Sequence, residues 1–247
     1  MSDDPVGRAA LPAWDSAGQE ARPTRKLAIV GYGKMGKLIE QFAPQYDFEV
    51  TLKLDEFNNS SGEGLTGANF AGVDVAIEFS IPAAVPANIE GIAALGVPLV
   101  VGTTGWLQHV DRAKAAIERH NTALVWSPNF SIGVNVFTKL VAEAARLLAE
   151  EPDYGAWAWE IHHAAKKDAP SGTLLKLVEG MKKAGYPRQI DIGSNRAGMV
   201  PGTHEIGFDS GADTITLRHT ARSREGFARG ALKAAQWVIG KRGFFEL

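Results

Sequence analysis

Lys26-Leu27-Ala28-Ile29-Val30-Gly31-Tyr32-Gly33-Lys34-Met35-Gly36 is an apolar run that stops in three spaced glycines. A short run with no polar alternation is how a strand buried on both faces reads, as in a parallel sheet. The glycines fit G-x-G-x-x-G, placed between that strand and a helix expected over Met35 to Phe42. The first permits a tight turn, the second lets a pyrophosphate approach the backbone, and the third lets helix and strand pack closely. The helix N-terminus adds N–H donors and a positive dipole. Without the strand before and the helix after, the motif would be weak. In this position it makes Gly31, Gly33, Lys34, Met35 and Gly36 a candidate dinucleotide site.

Outward from this stretch the pattern repeats. Phe48 to Leu54, Val73 to Phe79, Val97 to Val101 and Ala123 to Trp126 are further short apolar segments, with helical stretches such as Val85 to Leu95 between them. Alternating strand and helix imply βαβ units with right-handed crossovers, hence an α/β, doubly wound parallel (Rossmann) sheet over 26–130. After Pro128 the rhythm breaks. A long amphipathic helix is expected at about Val134 to Glu150, then a half-exposed strand over Ala156 to Ile161. Residues 203–209 and 213–220 flank Ser210-Gly211-Ala212 and read as an antiparallel hairpin. This second half is α+β. A last helix, about Phe227 to Ile239, could pack on either domain.

Composition narrows the function. The 247 residues, 45% hydrophobic and 22% charged, describe a globular chain with core enough for one large or two small domains. Twenty-six basic against twenty-eight acidic side chains give no global reason to expect a nucleic-acid or membrane partner. Zero cysteines exclude disulfides, thiolate metal sites and thioester chemistry, and with it the acylating aldehyde dehydrogenases. There is no apolar run of about 18 residues. Residues 1–25 read as a flexible tail and not a signal peptide, which makes a cytoplasmic location the expectation.

Asp55 lies nineteen residues after Gly36, at the end of the second strand, where an acid accepts hydrogen bonds from the adenosine ribose. Glu56 beside it is the alternative. Three later loops are rich in small and polar residues: Phe79-Ser80-Ile81-Pro82, Gly102-Thr103-Thr104-Gly105 and Ser127-Pro128-Asn129-Phe130-Ser131. All are expected at the carboxyl edge of the sheet, where open α/β sheets bind ligands. Phe79, Ser80, Gly102, Thr103, Thr104, Ser127, Asn129 and Phe130 are therefore cofactor candidates.

The densest chemistry lies in Glu160-Ile161-His162-His163-Ala164-Ala165-Lys166-Lys167-Asp168-Ala169-Pro170-Ser171-Gly172-Thr173. Two imidazoles and two ammonium groups suit an anionic substrate, and Ser171-Gly172-Thr173 reads as a helix start whose free N–H groups hold a carboxylate. No metal is expected: adjacent His162 and His163 point apart in an extended chain, and no H-E-x-x-H pattern exists. Beside a dinucleotide fold, a cation or acid here would stabilise the charge that develops as hydride arrives.

On these motifs the chain, over about 26–247, resembles the dihydrodipicolinate (4-hydroxy-tetrahydrodipicolinate) reductase family. The string from His162 to Thr173 carries most of that resemblance, with Gly31 to Gly36, Phe79-Ser80, Gly102 to Gly105 and Ser127 to Asn135. It implies reduction of a cyclic, dicarboxylated imine-type intermediate by NADH or NADPH in the diaminopimelate route to lysine. It also implies proton donation by His162 or Lys166 and substrate binding by His163, Gly172 and Thr173. A substrate-binding and oligomerisation domain over 131–224, a return of 225–247 to the first domain, and a homotetramer are further implications. Many members carry an arginine after the acid at the second strand end, where this chain has Glu56 and Phe57, so the choice between cofactors stays open. Two alternatives stand beside this reading. One is another two-domain dehydrogenase of a small amino or imino acid. The other is a non-catalytic dinucleotide-sensing regulator, for which no winged helix or basic stripe is visible.

Overall fold

The computed structural model describes residues 24–247. The tail expected over 1–25 therefore lies outside the described residues except for Thr24 and Arg25, and Arg25 already opens the first strand. Two compact units are present, one ending at Phe130 and completed by Phe227–Leu247, the other Ser131–Gly226.

The first unit is built on a six-stranded parallel sheet. Its strands are β1 (Arg25–Val30), β2 (Phe48–Leu54), β3 (Val75–Glu78), β4 (Leu99–Val101), β5 (Ala123–Trp126) and β10 (Gly243–Glu246), in the order β10-β5-β4-β3-β1-β2. From β1 the chain builds β2 on one side and β3, β4 and β5 on the other. The strand order therefore reverses at β1, the switch point where such sheets bind ligands. Helices α1 (Lys34–Phe42) and α6 (Glu225–Val238) lie on one face, with Leu27, Ile29, Ile77 and Val125 of the sheet against Ile39, Phe42, Leu232 and Ala235. On the other face α2 (Val85–Ala94) and α3 (Val110–Arg119) bring Ile89, Ile92, Ala116 and Ile117 to Ala28, Ala76, Leu99 and Leu124. Burial on both faces is why β1, β3, β4 and β5 carry no polar alternation, whereas the edge strand β2 alternates, with Glu49 and Thr51 exposed. The last helix packs on this unit: Gly230 lies so close to Phe130 that a Cβ would fall 1.7 Å from its carbonyl oxygen.

The second unit holds a four-stranded sheet, β7-β6-β8-β9, made of β6 (Gly155–His162), β7 (Ile190–Arg196), β8 (Thr203–Asp209) and β9 (Thr214–Thr220). Helices α4 (Ile132–Leu147) and α5 (Gly172–Lys183) cover one face, burying Ala156, Ala158, Ile206 and Phe208 against Phe137, Val141, Leu174 and Leu177. Alternation along β6 then puts Trp157, Trp159 and Ile161 on the opposite face, half-buried. Glycines make room for the indoles, since a Cβ on Gly207 would overlap Trp157 and one on Gly193 would touch Trp159 at 3.0 Å.

Candidate active site

In the first unit the chain leaves β1 through Gly31 at φ 95°, where an added Cβ would meet the Phe79 carbonyl at 2.3 Å. Glycine is required twice over, by the dihedral and by the contact. The Gly31 and Tyr32 amides both donate to the Leu54 carbonyl, at 2.8 and 3.0 Å, which ties the turn to the end of β2. Gly33 is the N-cap of α1, has no side-chain cap, and faces open space. Among the described residues no acceptor meets the amides of Lys34, Met35 or Gly36. Uncommitted N–H groups at the positive end of a helix, beside a glycine that leaves the approach open, fit a diphosphate. A cavity of about 320 Å³ lies here, lined among others by Gly31, Gly33, Asp55, Phe79 and Ser80. Asp55 accepts the Phe57 amide on Oδ1 at 2.9 Å and lines the same cavity.

The loops after β3, β4 and β5 meet at Phe79. Its ring lies against Gly102, where a Cβ would overlap it, and edge-on to Phe130 at 6.4 Å between centroids. Ser127 and Asn129 close a turn of their own, the hydroxyl donating to the Asn129 carbonyl at 2.9 Å and accepting its amide at 3.2 Å. Beneath these loops Glu78 is fully buried. It accepts from the Ser80 amide at 3.0 Å and the Ser80 hydroxyl, and its Oε2 meets no donor among the described residues. Burial pushes its carboxyl up, against the opposing hydrogen bonds of Ser80.

In the second unit, strand register assembles the polar centre. Glu160 of β6 pairs with Ser194 of β7 on one side and His204 of β8 on the other, while His162 pairs with Arg196. Side chains two apart on one strand and opposite on neighbours share a face, so all five converge under the start of α5. Glu160 Oε1 accepts from the Ser171 amide at 2.8 Å, Ser194 Oγ at 2.7 Å and Arg196 Nη2 at 2.9 Å. Oε2 accepts the Ser171 hydroxyl and lies 3.5 Å from His162 Nδ1 and 3.4 Å from His204 Nε2. Burial alone would push the Glu160 carboxyl up; the bonds from Ser171, Ser194 and Arg196 outweigh it and hold the group at about 2. Ser171 Oγ donates to Glu160, accepts the Leu174 amide at 3.2 Å, and lies 3.2 Å from His204 Nε2. With its one proton spent, it has only lone pairs to offer, so His204 carries its proton on Nε2.

Ser171 is thus both the N-cap of α5 and the link to the carboxylate below. Its own amide and that of Leu174 are satisfied. Among the described residues the amides of Gly172 and Thr173 meet no acceptor. Lys166 stands in the same loop with Nζ on both Asp168 carboxylate oxygens, at 2.7 and 3.0 Å. Two open amides at a helix N-terminus and an ammonium make a receptor for carboxylates. His162, by contrast, is buried against the His204 ring at 5.0 Å and against Gly202. Burial lowers its pKa, with the Glu160 charge opposing. The trio Glu160, His162 and His204 also has the proximity of a metal site, but Oε1 is filled by three donors, one of them a guanidinium. That donor set fits a hydrogen-bonded network and not a cation.

Two family models match the chain and meet beside the first boundary between the units, although the second runs on through 227–247, which fold with the first unit. Residues 25–130 match that of dihydrodipicolinate reductase, N-terminus, and residues 133–247 that of dihydrodipicolinate reductase, C-terminus. The chain belongs to the dihydrodipicolinate reductase family. A 4-hydroxy-tetrahydrodipicolinate reductase of Christiangramia forsetii is 36% identical over 232 residues, covering 90% of this chain and 95% of that one. One of Archaeoglobus fulgidus is 36% identical, covering 90% and 98%. A solved dipicolinate-bound dihydrodipicolinate reductase from Paenisporosarcina superposes with a TM-score of 0.73 at 23% identity, over 90% of this chain and 97% of that one.

As a member of this reductase family the chain is an oxidoreductase that uses a pyridine nucleotide, and the regulator and other-dehydrogenase readings are not favoured. Gly31, Gly33, Asp55, Phe79 and Ser80 line one cavity, Lys34, Met35 and Gly36 follow in the first turn of α1 and do not line it, and Gly102 and Phe130 adjoin the Phe79 ring. Thr103 is buried, its carbonyl taken by the Trp106 indole, whereas Thr104 is exposed. Lys166 lies in the loop that enters α5, with His163 at the start of that loop, and Gly172 and Thr173 open the helix itself. Reading the sequence missed Glu78, Ser194, Arg196 and His204, and gave Glu160 and Ser171 no role beyond the segment and the helix start. Their only signal was a polar residue at the end or on the buried face of a strand.

Proposed function

We propose that the protein reduces 4-hydroxy-tetrahydrodipicolinate, through a cyclic dicarboxylated imine, with NADH or NADPH as hydride source. The observation that carries this reading is the pair of uncommitted amides at Gly172 and Thr173, on a helix whose other first-turn amides are satisfied and whose preceding loop carries Lys166. One substrate carboxylate sits on those two amides and the other is addressed by His163 and Lys166. When bound, the reduced nicotinamide supplies hydride to the electron-poor ring. The glycine loop at Gly31, Gly33, Lys34, Met35 and Gly36 holds the diphosphate, Asp55 the adenosine ribose, and the loops at Phe79-Ser80, Gly102 to Thr104 and Ser127 to Phe130 the nicotinamide end.

Lys166 and His162 divide the remaining work. As hydride arrives, negative charge develops on the ring and must be neutralised by a proton. Lys166 Nζ carries protons at the loop surface and exchanges the Asp168 carboxylate for that of the substrate. His162 is buried and its pKa is lowered, so at neutral pH it holds the neutral form. This favours Lys166 as donor, with His162 shaping the pocket wall.

We further propose a homotetramer that uses the open face of the second unit's sheet, where Trp157, Trp159 and Ile161 present apolar surface. Among the described residues no helix is long and apolar enough to cross a membrane, in keeping with a proposed cytoplasmic site of action. The test is oxidation of reduced nicotinamide in a reaction fed with substrate made enzymatically from pyruvate and aspartate semialdehyde. Pyridine-2,6-dicarboxylate should inhibit competitively. No turnover, with no binding of that dicarboxylate at millimolar concentration in the presence of cofactor, would refute the reading.

A further inference from the structure

We infer that Glu160 and Arg196 are positioning residues for the reductase, holding the loop of residues 163–171 so that Lys166 and the open amides of Gly172 and Thr173 are presented together. The inference rests on the proposed substrate site but concerns residues that need not touch the substrate.

The loop is fastened at its start, middle and end by this one ion pair and its neighbours. At the start, it leaves β6 immediately after His162, whose carbonyl accepts the Ala197 amide at 2.9 Å, next to Arg196. In the middle, the Asp168 carbonyl accepts from Arg196 Nη2, the same nitrogen that serves Glu160. At the end, Glu160 takes both the amide and the hydroxyl of Ser171. Asp168 is in turn the residue that carries Lys166, through two hydrogen bonds to Nζ. A line of contacts therefore runs from Glu160 through Arg196 and the Asp168 backbone to the Lys166 ammonium. A second runs from Glu160 through Ser171 to the first turn of α5.

Only an ionised carboxylate serves this geometry. Oε1 accepts three hydrogen bonds at once, from the Ser171 amide, Ser194 and Arg196, while Oε2 takes the Ser171 hydroxyl. A glutamine oxygen in the place of Oε1 could still accept from Ser171, Ser194 and Arg196, but its NH2 would replace Oε2, losing the acceptor of the Ser171 hydroxyl and setting a donor against the His204 Nε2–H. The guanidinium would then stand largely buried without the negative charge that Glu160 sets against it. Glu160 also lies at the positive end of α5 without neutralising its free amides, because it spends itself on Ser171 and leaves Gly172 and Thr173 open.

The test uses the full chain with Glu160→Gln and with the double variant Glu160→Gln/Arg196→Met, which leaves no unpaired guanidinium. Kd for NADH, Kd for pyridine-2,6-dicarboxylate in the presence of NADH, kcat and Tm are measured for each. Glu160→Gln should weaken dicarboxylate binding at least tenfold and lower kcat at least thirtyfold, with NADH affinity within twofold of wild type. The double variant should recover Tm without recovering dicarboxylate binding, a split that a purely stabilising ion pair would not produce. If Glu160→Gln does not fold, Arg196→Lys serves in its place. It keeps the charge but cannot span Glu160 and the Asp168 carbonyl with one planar group, and should weaken dicarboxylate binding several-fold. Dicarboxylate affinity and kcat within twofold of wild type in any folded variant, or their recovery together with Tm in the double variant, would overturn the inference. A wild-type protein that turns over no substrate and binds no dicarboxylate would overturn the substrate reading and this inference with it.

Discussion

The buried histidines of the second unit should make stability fall as the solution is acidified from pH 8 to pH 5. His204 is the clearest case. Burial, with the neighbouring His162 acting in the same direction, lowers its pKa from an ordinary 6.5 to about 4. Between those values the unfolded chain binds a proton that the folded chain refuses, so stability is full above 6.5 and is lost as pH falls toward 4. The loss is about 2 kcal/mol between pH 8 and pH 5, and about 3 kcal/mol by pH 4. Glu160 has the same sign, since its carboxyl is held at about 2, but its window opens only below 4.5 and it adds little above pH 5. Glu78 has the opposite sign, because burial raises its pKa and favours the folded state as pH falls. The difference between wild type and His204→Gln cancels these other groups. A glutamine amide can still donate toward Ser171 but does not titrate. Urea unfolding followed by tryptophan fluorescence, at pH 5 and pH 8 and one fixed protein concentration, should show a pH slope smaller by about 2 kcal/mol in the variant. Slopes equal within about 0.5 kcal/mol would refute the assignment of a buried neutral imidazole at His204.

Lys166→Ala should lower kcat by about 10²-fold with NADH affinity unchanged, while Lys167→Ala, at an exposed position, should change neither. A Lys166→Ala kcat within about threefold of wild type, together with a dead Lys167→Ala, would reverse the assignment. NADH should serve at least as well as NADPH, because Asp55 and Glu56 line the end of β2 and Lys53 is paired with Glu40 at 3.0 Å. A preference above about tenfold for NADPH in kcat/KM, worth about 1.4 kcal/mol, would contradict this. Gly31→Ala should lower Tm and weaken NADH binding, since φ 95° and a 2.3 Å approach to the Phe79 carbonyl leave no room for a methyl group. Wild-type NADH affinity in that variant would show that the turn is not the diphosphate cradle.

The first unit was the more legible because its chemistry follows its local pattern. Strands buried on both faces must be continuous apolar runs, and the glycine motif names its own position at the end of one. What escaped there was short or small-sided. α3 faces the core with little more than Ala113, Ala116 and Ile117, and β10 has four residues. In the second unit β7 escaped because Ile-Asp-Ile-Gly-Ser-Asn-Arg carries only two apolar side chains. Those polar residues are what the strand is for: Ser194 and Arg196 reach Glu160.

The same contrast explains what reading the active-site segment left open. From His162 to Thr173 the sequence shows every group that can meet an anion, but not which of them water reaches. His162 and Lys166 look equivalent as proton donors when written in a line. Register separates them: alternation along β6 turns Glu160 and His162 to the helix-covered face, where His204 and Arg196 arrive from strands about forty residues further on. Burial lowers the proton affinity of a histidine placed there, whereas Lys166, four residues beyond the end of the strand, remains at the surface paired with the exposed Asp168 carboxylate. The difference in burial between two residues four positions apart is therefore made by side chains from two other strands, information that no local pattern holds.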